Sequence, residues 1–184
     1  MTRYAKRFPI LITARRVGLS EAQCIADLLS IGTHPAIVTV EQVRGTLQAG
    51  AHSFLLYRDD ELLGLAELRA IHPEPERSDA VVVLWMVTQN PVGIGVAALS
   101  FLLQHAFSTL GLSEVWGWVR QSNTPMLALC RRLGLIDHGT WAGDPECRLL
   151  TCSAAKFRDI MPTLTRLHAR IHVCDVRIVT HSAP

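Results

Sequence analysis

Apolar and polar positions divide the chain into segments of helical and strand period. Pro9 to Val17 (PILITARRV) predicts a first strand behind a loose basic lead, Met1 to Phe8. Ser20 as N-cap, Gln23 in the capping-box position and an apolar side of Cys24, Ile25, Leu28 and Leu29 predict a helix over Glu21 to Ser30, stopped by Gly32. Thr39 caps a second helix, Val40 to Ala49, with the stripe Val40, Val43 and Leu47. Ser53 to Tyr57 and Leu62 to Ile71 flank the acidic tip Asp59-Asp60-Glu61, a hairpin signal, and His72 to Asp79 (HPEPERSD) reads as a Pro-broken connection. Ala80 to Val87 is β-branched, apolar and too short for a typical helix, so it predicts a buried strand. A short loop and Gly93-Ile94-Gly95 lead into a helical pattern from Val96 to Leu110. Glu114 to Val119 alternates as a strand, and Asn123-Thr124-Pro125 opens a helix that ends at Gly134. Leu135 to Gly139 and Cys147 to Cys152 predict two more strands. In the tail, Leu164 to Ile171 reads as one or two helical turns and His172 to Val179 as strand-like. This order predicts an α/β fold with a mixed, largely antiparallel central sheet flanked by helices.

At 184 residues the chain is long enough for one domain with a real core, and 49% hydrophobic against 18% charged residues excludes a disordered chain. A net charge of +2 without a long basic run gives no footprint for nucleic acid, and the longest apolar run is far short of a membrane span. Phe8 to Ile12 is too short for a signal-peptide core, and five cysteines without a CxxC pair suit reduced thiols, so the expected location is the cytoplasm. His168 and His172, four apart, could place two imidazoles on one helical face, but exposed histidines on an extra element account for them, and no metal is expected.

Glycines between a strand and a helix leave backbone N–H groups bare at the helix's positive end, which suits a phosphate chain. A lone Gly-x-Gly is weak evidence. The order from Ser78 to Gly134 is more specific, and the chain resembles the GNAT N-acetyltransferase superfamily over about Phe54 to Thr151. In that family a Gln/Arg-x-x-Gly-x-Gly/Ala loop cradles the coenzyme A pyrophosphate; here it reads NPVGIG, Asn90 to Gly95. The following strand, the Asn-initiated helix and the closing hydrophobic-Gly-Phe are matched by VWGWV, NTPMLALCRRLG and Leu135. Asn90 departs from the family's Gln or Arg, and Cys130 stands where most members have Tyr. MLALCRRLG also faintly resembles the GNAT domain of bacterial protein-lysine acetyltransferases.

The resemblance implies a GNAT acyl-CoA N-acyltransferase fold over residues 1–153 with a C-terminal extension, 154–184, packing on or extending it. It implies acetyl-CoA as co-substrate and direct acetyl transfer to a primary amine, on a protein or a small molecule, in a protein that can be a homodimer. Trp85, Met86 and Val87 would pair with the pantetheine through main-chain atoms, and Gly93, Ile94, Gly95, Val96 and Ala97 would offer N–H groups to the pyrophosphate. Asn123, with Met126 beside it, would contact the pantetheine arm, although Asn123 is by itself an N-cap residue. Asp79, near the family's carboxylate position, and Glu67, a carboxylate in an apolar run, are the candidate bases, while Asp79 also reads as an exposed strand-start residue. Cys130 is either the acid that protonates the leaving thiolate or a small buried hydrophobe. The rival of a different class is a catalytically weak acyl-CoA-binding regulatory module.

Overall fold

In a computed structural model, the described residues are 12–31, 38–74, 77–87, 93–170 and 179–181. Within them the order is β1 (Thr13–Arg16), α1 (Ala22–Ser30), α2 (Val40–Gln48), β2 (His52–Arg58), β3 (Glu61–Glu74), β4 (Arg77–Met86) and α3 (Ile94–Gln104). There follow β5 (Glu114–Arg120), α4 (Thr124–Leu133), β6 (Ile136–Trp141), β7 (Asp144–Ser153), α5 (Ala154–Arg170) and β8 (Val179–His181). One sheet joins them in the order β6-β7-β5-β4-β3-β2-β1-β8. The β4/β5 and β1/β8 pairs are parallel and the other pairs antiparallel.

Alternation along each strand divides the core between the two faces of the sheet. Phe54, Leu56, Ala66 and Leu68 pack with Leu102 and Leu103 of α3 and with Phe157 and Ile160 of α5. Leu55 and Leu65 pack on the opposite face with Ile25 and Leu28 of α1 and Val43 of α2. Val82, Leu84 and Met86 of β4 point to the α3 face, and Trp85 to the α1/α2 face.

Thr39 caps α2 as expected, accepting from Gln42 N–H at 3.2 Å while Gln42 Oε1 accepts from Thr39 N–H at 2.8 Å. The start of α1 differs. A 3-10 turn, Leu19–Glu21, moves the cap back to Gly18, whose N–H donates to Glu21 Oε2 at 3.0 Å. Gln23, freed from capping, donates to Asp27 one turn on.

His72 to Asp79 is no loose connection. β3 runs on through Glu74 and pairs with β4 from Arg77, with residues 75–76 outside the described set. Pro73 is tolerated because the ladder is already irregular: Ala70 has φ 46° and the register shifts between Arg69 and His72. The tail differs as well, since α5 begins ten residues before Leu164. Ser153 Oγ accepts from Lys156 N–H at 3.2 Å, and Phe157 and Ile160 bury one helical face. Pro162 lies inside this helix and hid it from a propensity reading. The expected strand His172 to Val179 and the imidazole of His172 fall mostly outside the described residues; β8 is described at Val179–His181.

Candidate active site

β4 and β5 are hydrogen-bonded only where Asp79–Val81 faces Glu114–Trp116. β4 then continues to Met86 and β5 to Arg120, so the two strands part and leave a wedge between them. Gly117 sits at the apex, where a Cβ would stand 3.0 Å from the Val82 carbonyl oxygen. Val87 N–H donates to Leu63 O at 2.9 Å, which turns the main chain of Val87 and, by alternation, Trp85 toward β3. The same alternation turns the main-chain groups of Val82, Leu84 and Met86 into the wedge.

A cavity of about 580 Å³ fills this wedge, lined by Val82 to Met86, by Trp116 to Arg120, by Gly95 and Leu99 of α3 and by Asn123, Met126 and Cys130 of α4. At its α3 end, Gly93 adopts φ 103°, a left-handed conformation open to glycine, and turns the chain into the helix. The first intrahelical bond there runs from Ala97 N–H to Gly93 O at 3.0 Å, so the amides of Ile94, Gly95 and Val96 have no acceptor within the helix. Among the described residues nothing lies within 4 Å of a Cβ built on Gly95, so none of them covers that side of the first turn. Ile94 and Ala97 bury their side chains and anchor the helix to the core, while Val96 packs against it. Asn90 lies outside the described residues.

On the far wall, Asn123 Oδ1 accepts from Met126 N–H at 3.3 Å and fixes the start of α4. One turn on, Cys130 is buried with Leu127 and Leu150, and burial, aided by the Asp137 carboxylate, pushes its thiol up to about 11. Burial also pushes the Cys152 thiol of β7 to about 11 and raises that of Cys147. Both β7 cysteines line the cavity, and strand periodicity in CRLLTC gave no sign of it.

The carboxylates expected as bases stand apart from the cavity wall. Asp79 lies in the paired part of β4, three residues before Val82, a separation of about 10 Å along a strand. Glu67 is 1% exposed and accepts from Ser53 Oγ and from Arg69 Nε. Arg69, not Glu67, lines the cavity. The carboxylate on the lining is Asp144, held below the usual carboxylate range by hydrogen bonds from Glu146 N–H and Cys147 Sγ. Among the described residues, no group of three or more His, Cys, Asp or Glu could hold a metal ion, and no helix is long and apolar enough to cross a membrane.

The architecture has known counterparts. A point mutant of the spermidine N-acetyltransferase SpeG from Vibrio cholerae superposes with TM-score 0.63 at 16% identity, covering 79% of this chain and 95% of that one. A dodecameric structure of spermidine N-acetyltransferase from Vibrio cholerae superposes with TM-score 0.67 at 15% identity, covering 82% and 98%. At such identities the likeness speaks for the fold alone. No protein with a curated description matches the sequence. Residues 32–136, more than half of the chain, match the family described as the acetyltransferase (GNAT) domain. With the parted β4/β5 pair, the amide-bearing start of α3 and the Asn-capped α4 all inside or bordering that match, the chain belongs to the GNAT family of N-acetyltransferases.

Proposed function

We propose that the protein transfers the acetyl group of acetyl-CoA directly to the primary amine of a small molecule. The observation that carries this reading is the wedge between β4 and β5, with bare helix amides at one end and a buried thiol on its wall. The residues present fit the co-substrate. A diphosphate would rest against the amides of Ile94, Gly95 and Val96, whereas the expected donor Ala97 N–H is already bonded to Gly93 O, and the 580 Å³ cavity continues along the β4 edge toward Cys130. Acetyl-CoA supplies an activated thioester carbonyl.

The chain's own groups do the rest. Main-chain groups of Leu84 and Met86 orient the pantetheine amides, and an N–H of this edge polarises the carbonyl oxygen. Asn123 and Met126 wall the arm on the other side. Cys130 Sγ stays protonated throughout the neutral range and passes its proton to the departing thiolate as the surplus proton of the attacking nitrogen replaces it, so the thiol is unchanged after turnover. The raised thiols of Cys130, Cys147 and Cys152 also favour direct transfer, because an acyl-enzyme route needs a thiolate nucleophile. Among the described residues the carboxylate on the cavity lining is the depressed Asp144, and in this reading the amine loses its proton to solvent and enters neutral. A small-molecule acceptor agrees with the spermidine N-acetyltransferases of the same fold. The dodecameric neighbour makes self-association part of the same reading.

A ligand binding only the folded state at ~100 times its Kd adds about 2.7 kcal/mol. For a chain of this length that is a rise in Tm of roughly 5–10 °C. Acetyl-CoA should give this rise, NAD and ATP should not, and Gly95→Asp should abolish it in a protein that still melts cooperatively. Release of coenzyme A thiol with a panel of primary amines then tests transfer. A Tm rise without release for any amine would leave the acyl-CoA-binding module as the function; no Tm rise would remove the site.

A further inference from the structure

The chain has four tryptophans, Trp85, Trp116, Trp118 and Trp141, and the fold brings all four to one face of the sheet. Trp85 packs on the α1/α2 face. Val81, two residues back on β4 and so on the same face, is in parallel register with Trp116, which carries Trp116 and Trp118 to that face. Trp141 of β6 stacks on Trp118 with ring centroids 4.5 Å apart and planes 7° apart, and Trp116 stands beside it at 6.1 Å. Trp85, Trp116 and Trp118 all line the cavity, and Trp118 is 39% exposed. The helices that would hold the donor, α3 and α4, pack on the opposite face. The wedge therefore has a donor side and a tryptophan side, and an acceptor must come from the latter.

Among the described residues, the charged side chains on the cavity lining are Arg69, Arg120 and Asp144, and each is engaged within the protein. Arg69 is paired with Glu67, and Arg120 with Glu146 at 2.9 Å. Asp144 accepts from Glu146 N–H at 2.9 Å and from Cys147 Sγ at 3.4 Å. A polycationic acceptor would find three indoles here, two arginines each neutralised by its own carboxylate, and Asp144 already engaged by two hydrogen bonds. A flat, uncharged ring finds complementary surface, since an aromatic group gains from an offset or edge contact beyond its buried area.

Resting on the acetyltransferase reading, we infer that Trp116, Trp118 and Trp141 form an acceptor subsite selective for arylalkylamines, whose ring lies on the tryptophans while the amine reaches through the β4/β5 wedge. Trp118 is the specificity-determining residue and Trp141 its support.

The test compares 2-phenylethylamine, n-butylamine and spermidine as acceptors for the full chain, by coenzyme A release. 2-Phenylethylamine should be preferred by kcat/KM. Trp118→Ala should lower the ratio of phenylethylamine to butylamine kcat/KM by ~10-fold, the ~1.4 kcal/mol of a lost stacking contact, mostly through KM. Trp118→Phe should restore most of it, and the KM for acetyl-CoA should stay within twofold. Preference for spermidine, or equal losses for all three amines in Trp118→Ala, would overturn the inference. So would a change of oligomeric state in Trp118→Ala with selectivity intact, which would assign this face to a second copy. Quenching of tryptophan fluorescence by phenylethylamine, absent in Trp118→Ala, needs no acetyl transfer. It still decides the subsite if acetyl-CoA fails to bind, so failure of the enzyme reading and failure of this inference are told apart.

Discussion

Gly64 lies on β3 directly across from Met86, at the point where β4 forms one wall of the wedge. A Cβ built there would be 2.3 Å from the Trp85 carbonyl oxygen and 3.0 Å from both Cα and Sδ of Met86. The first contact is with backbone, so Gly64→Ala cannot be relieved by a side-chain rotation. β3 and β4 must separate locally by on the order of 1 Å to restore van der Waals distance. Overpacking of this kind costs about 1–3 kcal/mol, offset in part by the ~0.5–1 kcal/mol that Ala gains over Gly in a strand. The net of about 0–2.5 kcal/mol lowers Tm by up to roughly 10 °C for a chain this long. The functional loss should be larger. A displacement of ~1 Å at the edge that orients the thioester can reduce turnover by ~10²-fold. Differential scanning calorimetry and coenzyme A release on the same preparation check both. An unchanged Tm with unchanged turnover would mean that Gly64 and Trp85 are not in this contact, and the register of β3 on β4 would have to be redrawn.

Cys130→Ala should lower turnover several-fold while leaving acetyl-CoA affinity near the parent's, because the thiol is a proton donor on the wall and not a binding group; equal turnover across pH 7–9 would leave it as packing alone. Asp79→Asn should be mild, since Asp79 lies below the wedge, and a loss of ~10²-fold in kcat would make it the base after all. Glu67→Gln should reduce both Tm and turnover by releasing Arg69 into the cavity, and a stable mutant with parent kinetics would argue against that coupling. His52, whose Nδ1 is 2.9 Å from His105 Nε2, is pushed down from 6.5 to about 4 by burial, with Arg16 and His105 adding to the effect. Because the folded value is depressed, the unfolded chain binds the extra proton between these limits. The stabilisation is complete above pH 6.5 and is lost as pH falls toward 4. Tm should therefore drop through that window, and His52→Gln should flatten the drop; an unaltered slope would place the titration elsewhere.

The strand, Gly-x-Gly and helix at the centre of the fold were legible because each is encoded locally: a β-branched run, two small residues and a continuous apolar face. So was the Thr39 cap. What escaped depends on partners distant in sequence. β3 continues past His72 because a bulge at Ala70 re-registers it on β4, and two prolines in HPEPERSD pointed the other way. α5 forms through Pro162 because Phe157 and Ile160 are held by the core. The cysteines of β7 reach the cavity, and Trp118 meets Trp141, only because β7 inserts between β5 and β6; VWGWV and GTW alone predict no such meeting. For the two carboxylates, sequence could mark Asp79 and Glu67 as unusual, but the depth of one along β4 and the partners of the other are tertiary facts.

The brief ladder between β4 and β5 also has a mechanical meaning. It is the seam between a half-sheet made of β8, β1, β2, β3 and β4 and another made of β5, β7 and β6, and beyond Val81 and Trp116 the seam is unstitched. On the proposed function, a pantetheine arm laid against the β4 edge would take the place of the missing strand contacts. The donor would then be a temporary element of the sheet, removed and replaced at each turnover. Stiffness across the molecule should rise when the donor arrives and fall when coenzyme A leaves, so amide exchange on Val82 to Met86 and Gly117 to Arg120 would follow occupancy of the site more closely than exchange elsewhere in the core.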